Sequence, residues 1–365
     1  MTAPTSVVTL TPLLGFPEVR RGDDLVDLVL KALQDNEIEL VDGDVLVVSS
    51  KIASKAMGLS APLAERDDVV VSHTVRVVAE RITPLGITSI VETVAGPVMA
   101  AAGVDASNTA DDSIVLALHD HPDAVAAEIR VGLTIGWETL IGWEAPSGRH
   151  LRLGVVLSDT AGRPWRIGQT DFALGAAGIQ VVDDLRGSSD ADGRLLWVTE
   201  RCVADEIAAA ADLVKGKAAG VPVAHIRGLG QYVHDGESTS DAKTSGARDL
   251  VRTGPGDWFS LGQTEAVRAA LGVAPGSAEA TAVGIQSMNA ETVADKASRA
   301  LRVALLGCPD ASGEVDGDTI RLTAPDDFTL GVVATRAEVA LRGEGLATTL
   351  TRSDRPQPIA VIGFH

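Results

Sequence analysis

Leu153-Gly154-Val155-Val156-Leu157-Ser158-Asp159-Thr160-Ala161-Gly162-Arg163-Pro164-Trp165-Arg166 begins as an apolar run and stops in an acid, a hydroxyl, a glycine and two arginines. The run predicts a central buried strand over 151–158. Its end suits an anion site built around a divalent cation. Asp159 and Thr160 offer hard oxygen ligands, Gly162 lets the chain turn, and Arg163 and Arg166 can reach phosphate or carboxylate oxygens. A capped strand-to-helix turn with surface arginines is the plainer alternative. A second loop, Ala102-Gly103-Val104-Asp105-Ala106-Ser107-Asn108, carries one carboxylate among small polar groups. Two distant aspartates meeting on a cation and a nucleotide is a frequent solution in phosphoryl transfer, because bridging cations neutralise the charge between donor and acceptor.

Working outward, the chain of 365 residues has room for two domains. A hydrophobic share of 45% against 22% charged residues predicts globular folding with a sizeable core. Aromatics are scarce, so that core must be packed from Ala, Val, Leu and Ile. Apolar runs are too short for a membrane span and the N-terminal residues lack a secretory pattern, which gives a cytoplasmic expectation. Cys202 and Cys308 read as reduced core residues. The net charge of −19 speaks against a nucleic-acid partner and makes any anionic substrate dependent on local cations. No G-x-x-x-x-G-K-[ST] motif is present, which excludes a P-loop NTPase. His119-x-His121 sits in an Asp-Pro turn and is not expected to hold zinc.

Period and turn signals place a helix from Asp24 to Leu33, a buried strand Val45–Val48 after Asp42-Gly43-Asp44, and a helix from Lys51 to Met57. Ser50 then lies near a helix N-terminus, where backbone amides favour an anion. Residues 74–83 read as an amphipathic helix with Val75, Val78 and Ile82 on one face. Further elements are expected at 124–131 (helix), 195–199 (strand), 203–214 (Ala-rich helix) and 221–226 (strand), with a Gly/Ser/Asp loop over 235–256. The remainder reads as helix 290–306, strand 319–323, helix 337–342 and strands 348–351 and 359–362.

GVDASN (103–108), SDTAGRPWRIGQTD (158–171) and VADEIAAAADLVKGKAAGVPVAHIRG (203–228) resemble the corresponding motifs of coenzyme F420-0:L-glutamate ligases. Leu14-Gly15-Phe16-Pro17 with Arg21-Gly22-Asp23-Asp24-Leu25, and Asp42-Gly43-Asp44 running into VLVVSSKIASKAMG, agree in the same order. The likeness covers roughly residues 8–235 and is greatest to the N-terminal ligase domain of the two-domain actinobacterial enzymes. After residue 262 the chain departs from their flavin domain. The resemblance implies a mixed α/β (α+β) fold that forms an intertwined homodimer, with a ligase domain over 1–245, a junction over 246–264 and a small α/β appendage over 265–365.

Carried over by position, the resemblance implies that Asp105, Asp159 and Thr160 hold two divalent ions, magnesium or manganese, with a potassium ion as a further option. It implies that Leu14, Gly15, Phe16, Pro17, Ser50, Lys55 and Asn108 contact GTP. Without it, Lys55 reads as a solvated surface lysine and Leu14–Pro17 as an ordinary turn. Gly216 and Lys217 are read as a phosphate contact or, equally, as a helix C-cap whose lysines suit the dipole. Arg163 and Arg166 are the candidates for gripping substrate. Asp205 and Glu206 are assigned to the helix start or to structural hydrogen bonds. The implied activity is GTP-dependent addition of L-glutamate to F420-0 by a gamma-glutamyl amide bond, through an acyl phosphate. The alternatives are an amide ligase of the same fold with another acidic acceptor, and a non-catalytic module that binds GTP or a deazaflavin.

Overall fold

The computed structural model describes residues 7–84, 86–107, 109, 111, 113–142, 150–234, 246–353 and 359–365. Two compact units are present, one from Met1–Thr74 with Thr93–Arg252, the other from Val75–Glu92 with Thr253–His365. Both mix helices and strands, which agrees with the mixed α/β class.

The first unit is built on a five-stranded sheet. Its strands are β1 (Thr9–Pro12), β2 (Asp44–Ser49), β3 (Leu153–Arg163), β4 (Arg166–Ala177) and β5 (Val223–Arg227), in the order β1-β5-β2-β3-β4. β2 and β3 are parallel, with Ser49 level with Ser158, and the other pairs are antiparallel. The helices are α1 (Leu25–Asp35), α2 (Ser50–Met57), α3 (Pro122–Ile141) and α4 (Val203–Lys215). Strand alternation sorts the core into two faces. Leu46, Val48, Leu153, Val155 and Leu157 pack with α1 and α3. Val45, Val47, Val156 and Ala173 pack with Val203, Ile207, Ala208 and Ala211 of α4.

Two local devices hold the layers at their spacing. Asp24 caps α1, accepting from Val26 N at 2.9 Å and Asp27 N at 3.2 Å. Gly132 and Gly136 open a groove along α3, where a Cβ would come 2.6 Å from Val26 Cγ2 and 2.5 Å from Leu30 Cδ1 of α1. At the start of β2, buried Asp44 accepts from Arg227 Nη2 at 2.8 Å and lies 2.8 Å from His225 Nε2. Burial would raise the Asp44 carboxyl, yet Arg227, His225 and the Val41 amide hold it below the usual carboxylate range.

The second unit has a four-stranded antiparallel sheet of β6 (Ser312–Asp316), β7 (Thr319–Thr323), β8 (Thr348–Ser353) and β9 (Ile359–Phe364), in the order β6-β7-β9-β8. It packs on α5 (Val293–Leu305) and α6 (Asp327–Gly343). Glu344 is buried between Arg268 and Arg299, at 2.7 and 2.6 Å. The same unit takes in a hairpin from much earlier in the chain, and side chains tie it there. Arg81 reaches Glu265 at 2.5 Å, Arg76 reaches Asp257 at 3.3 Å, and Gly276 N donates to Glu80 at 2.7 Å.

That hairpin corrects one sequence expectation. Thr74–Thr83 is a strand paired with Gly86–Thr93, not a helix. The spacing of Val75, Val78 and Ile82 suits a helix, but the segment is dense in β-branched residues and has a strand partner immediately after it. A second correction concerns 195–199, where only an isolated bridge joins Leu195 to Ser189 and the regular strand is Glu200–Cys202. A third concerns the strand read as ending at Ser158. β3 runs on to Arg163 and turns at Pro164–Trp165 into β4, with Trp165 at φ 59°. α3 and α6 are each longer than the periodicity suggested. Residues 235–245 of the expected loop lie outside the described residues, while Gly246 onward is docked by Asp123, which accepts from Ala247 N and Arg248 N.

Candidate functional site

The carboxyl end of β2 at Ser49 lies level with Ser158 of its parallel neighbour β3, and a crevice at the end of such a strand is where α/β sheets place ligands. A cavity of about 360 Å³ opens there. Phe16, Pro17, Glu18 and Val19 form one wall, and Ser49, Lys51 and Lys55 another. Ser158, Asp159, Thr160 and Asp171 line the side formed by β3 and β4, and Lys215, Gly216 and Lys217 close it from the end of α4. Four lysines thus face one cavity in a chain of net charge −19. Such local clustering is what an anionic ligand needs from an acidic protein.

Each wall has a local cause. Asn36 clamps the first loop, donating to Leu14 O at 3.0 Å and accepting from Leu14 N at 3.1 Å. β2 passes directly into α2, and Ser49 occupies the N-cap without a side-chain capping bond. No side chain at the cap therefore competes with an anion for the first-turn amides. A register shift between Leu157 and Ser158 adjusts the pairing of β3 just before the acidic stretch. Thr160 then pairs directly across from Asp171.

Asp171 organises the polar end of that wall. It accepts from Thr160 Oγ1 at 2.6 Å, Ser158 Oγ at 2.9 Å and Lys215 Nζ at 2.8 Å. Burial would raise the Asp171 carboxyl, but Lys215 and the two hydroxyls hold it below its ordinary value. Because the Thr160 hydroxyl gives its proton to Asp171, its lone pairs are left to accept from or ligate something else.

Asp159 differs. Burial pushes its carboxyl up to about 6, while the Thr160 amide, Lys51 and Lys217 pull it down and Asp171 adds to the rise. It is a carboxylate short of positive charge, and perturbed carboxyls of this kind gather at functional sites. Asp105 is held below its ordinary range despite burial, chiefly by Lys51, whose Nζ lies 2.6 Å from Asp105 Oδ2. Lys51 itself lines the cavity with Asp159, so the two aspartate loops meet across one lysine.

Among the described residues no three His, Cys, Asp or Glu side chains gather closely enough to hold a metal ion. Asp159, Thr160 and Asp105 nonetheless offer hard oxygens of the kind that magnesium takes one or two at a time, with phosphate oxygens and water as its other ligands. The residues fit an ion that arrives with a phosphorylated ligand.

Of the residues named from sequence, the cavity unites Phe16, Pro17, Lys55, Asp159, Thr160, Gly216 and Lys217. Lys55 is no free surface lysine: its Nζ pairs with Glu18 Oε1 at 2.5 Å. Gly216 serves as C-cap of α4 and also lines the cavity. Leu14 and Gly15 stand just before the lining residues, and Ser50 is buried behind Ser49. Arg163 and Arg166 pair across the exposed hairpin tip and do not line the cavity. Asn108 lies outside the described residues. Asp205 accepts from Ala173 N and Glu206 pairs with Arg201, in the structural roles read for them. Sequence reading gave no site role to Lys51 or Asp171 and took Lys215 only as a lysine suited to the helix end. All three stand inside quoted motifs, but nothing local gives them partners.

A family profile described as F420-0:Gamma-glutamyl ligase matches residues 14–228. The chain is similar to proteins named Coenzyme F420:L-glutamate ligase from several archaea. The one from Halorubrum lacusprofundi is 33% identical over 67% of this chain and 96% of its own length. That from Halobacterium salinarum is 35% identical over 67% and 95%. The Methanothermobacter thermautotrophicus protein is 37% identical over 60% and 89%.

Proposed function

This chain belongs to the F420-0:gamma-glutamyl ligase family, and from that premise we propose that it joins the amine of L-glutamate to the carboxyl of coenzyme F420-0 by an amide bond, at the expense of GTP. The observation that carries the reading is the meeting of Asp159 and Thr160 with Lys51, Lys55, Lys215 and Lys217 in one cavity.

In this reading the carboxylate of F420-0 attacks the gamma-phosphorus of GTP, GDP leaves, and an acyl phosphate forms. The neutral amine of glutamate then displaces phosphate to give the amide. Two anions must approach in line, and the lysine-lined walls lower the repulsion between them. Phe16 and Pro17 offer an apolar wall to a base or ring, and the first turn of α2 offers amides to a phosphate. Asp159, Thr160 and Asp105 would hold the divalent ions, which when bound neutralise charge on the transferring group. Asp171 keeps the Thr160 hydroxyl oriented for that task. Arg163 and Arg166 would meet substrate only from the hairpin tip. An intertwined homodimer is part of the proposal, and the exposed Trp165 and Ile167 at that tip support it.

The test is incubation of the purified protein with F420-0, GTP, glutamate and Mg2+ or Mn2+, read by mass spectrometry. A product heavier by one glutamate residue, with GDP released, is expected. Asp159→Asn should lose turnover at least a hundredfold while keeping its circular dichroism spectrum. Full activity in that variant removes Asp159 from the site.

A further inference from the structure

Lys51 holds the Asp105 loop through three contacts: Asp105 Oδ2 at 2.6 Å, Ser107 Oγ at 2.8 Å and Ser107 O at 3.0 Å. An ammonium has three protons to give, and this loop supplies three acceptors. The loop is shaped around it as well. Ser107 N donates to Asp105 Oδ1 at 2.7 Å and Ser107 Oγ donates to Asp105 Oδ2 at 2.9 Å. The lysine side chain is only 13% exposed. Its charge also acts on Asp159, which lines the same cavity.

We propose that Lys51 is the resident counter-cation of the two-aspartate site, its ammonium standing beside Asp105 where a divalent ion would otherwise bind, so that the ion binds well only when nucleotide is present. The inference rests on the ligase reading for the place of the ion and adds the order in which ligands arrive. A divalent ion at Asp105 must displace the ammonium or lie beside it, and like charges so close repel one another in a partly buried site. The displaced ammonium needs another anion. A polyphosphate in the cavity that Lys51 already lines supplies one. Nucleotide and metal therefore strengthen one another's binding, and by linkage the effect is reciprocal.

The probe is Mn2+, counted by the loss of its free electron paramagnetic resonance signal on the full chain, with and without GDP. Wild type should bind Mn2+ weakly alone and at least about tenfold more tightly with GDP. Lys51→Met should raise the affinity for Mn2+ without nucleotide by about tenfold and shrink the GDP effect. Lys51→Arg keeps a cation there and should behave as wild type, which separates charge from packing. Adding Asp159→Asn to Lys51→Met should remove the gained site. If Lys51→Met binds Mn2+ no better than wild type while GDP still promotes binding, the inference fails and the ligase reading stands. If no form binds Mn2+ with GDP, both fail.

Discussion

Lys215 Nζ and Asp171 Oδ2 meet at 2.8 Å with each side chain only 4% exposed. Removing one partner strands the other charge away from water, which costs about 3–5 kcal/mol. Lys215→Met should lower the unfolding free energy by that amount in urea titrations, and Lys215→Met with Asp171→Leu should recover much of it. A single variant as stable as wild type would show that the charges are not enclosed. Asp44 sets a pH dependence of its own. Its folded-state acidity is greater than that of a free carboxyl, so its contribution is complete above about pH 4 and disappears as pH falls through the depressed value. Asp171 and Glu344 act in the same direction. Asp44→Asn should therefore be less stable than wild type at pH 7, with the gap closing in thermal melts as pH falls through the depressed Asp44 value. Persistence of the gap at low pH would assign the loss to shape rather than charge.

At the scale of elements, α1 and α3 depend on the glycine groove. Gly132→Ala gains about 1 kcal/mol of helix propensity, yet its Cβ would press on Val26, which is branched and cannot swing aside. The net expectation is a loss of about 1–3 kcal/mol. Val26→Ala in the same chain should restore most of it, because the obstructing methyls are gone. Equal stability of Gly132→Ala and wild type would mean that the helices shift freely. Elements were legible where period and punctuation agreed. Asp24 before Leu25 announced α1, and Asp42-Gly43-Asp44 announced β2. Thr74–Thr83 misled because its apolar residues satisfy a helical spacing while its choice of strand is made by a neighbour, Gly86–Thr93. The extension of β3 past Ser158 was likewise decided by β4, whose ladder carries polar residues that local hydrophobicity would assign to a loop.

At the scale of the molecule, residues 75–92 belong with Thr253–His365, although they are enclosed in sequence by the other unit. Cutting the chain after Arg252 leaves this hairpin without Asp257, Glu265 and Gly276, its partners. Such a truncation should aggregate on purification. Val94 N donates to His73 O at 3.0 Å, so the two ends of the excursion are adjacent. Replacing 75–92 by two glycines in the truncated chain should give a soluble first unit that still binds GDP with Mn2+, checked by size-exclusion chromatography and calorimetry. A soluble truncation that keeps its hairpin would contradict the assignment of that segment.

The sequence alone determined the motif blocks, the presence of two buried strands near Val45–Val48 and 151–158, and the demand of an acidic chain for local cations, since these follow from residue type and short-range spacing. Only the tertiary structure decided that Lys51 faces Asp105, that Asp171 and Lys215 enclose one another, and that an early hairpin serves a late unit. Those pairings rest on strand register and chain return over many residues, and an ammonium bonds whichever carboxylate the fold brings to it.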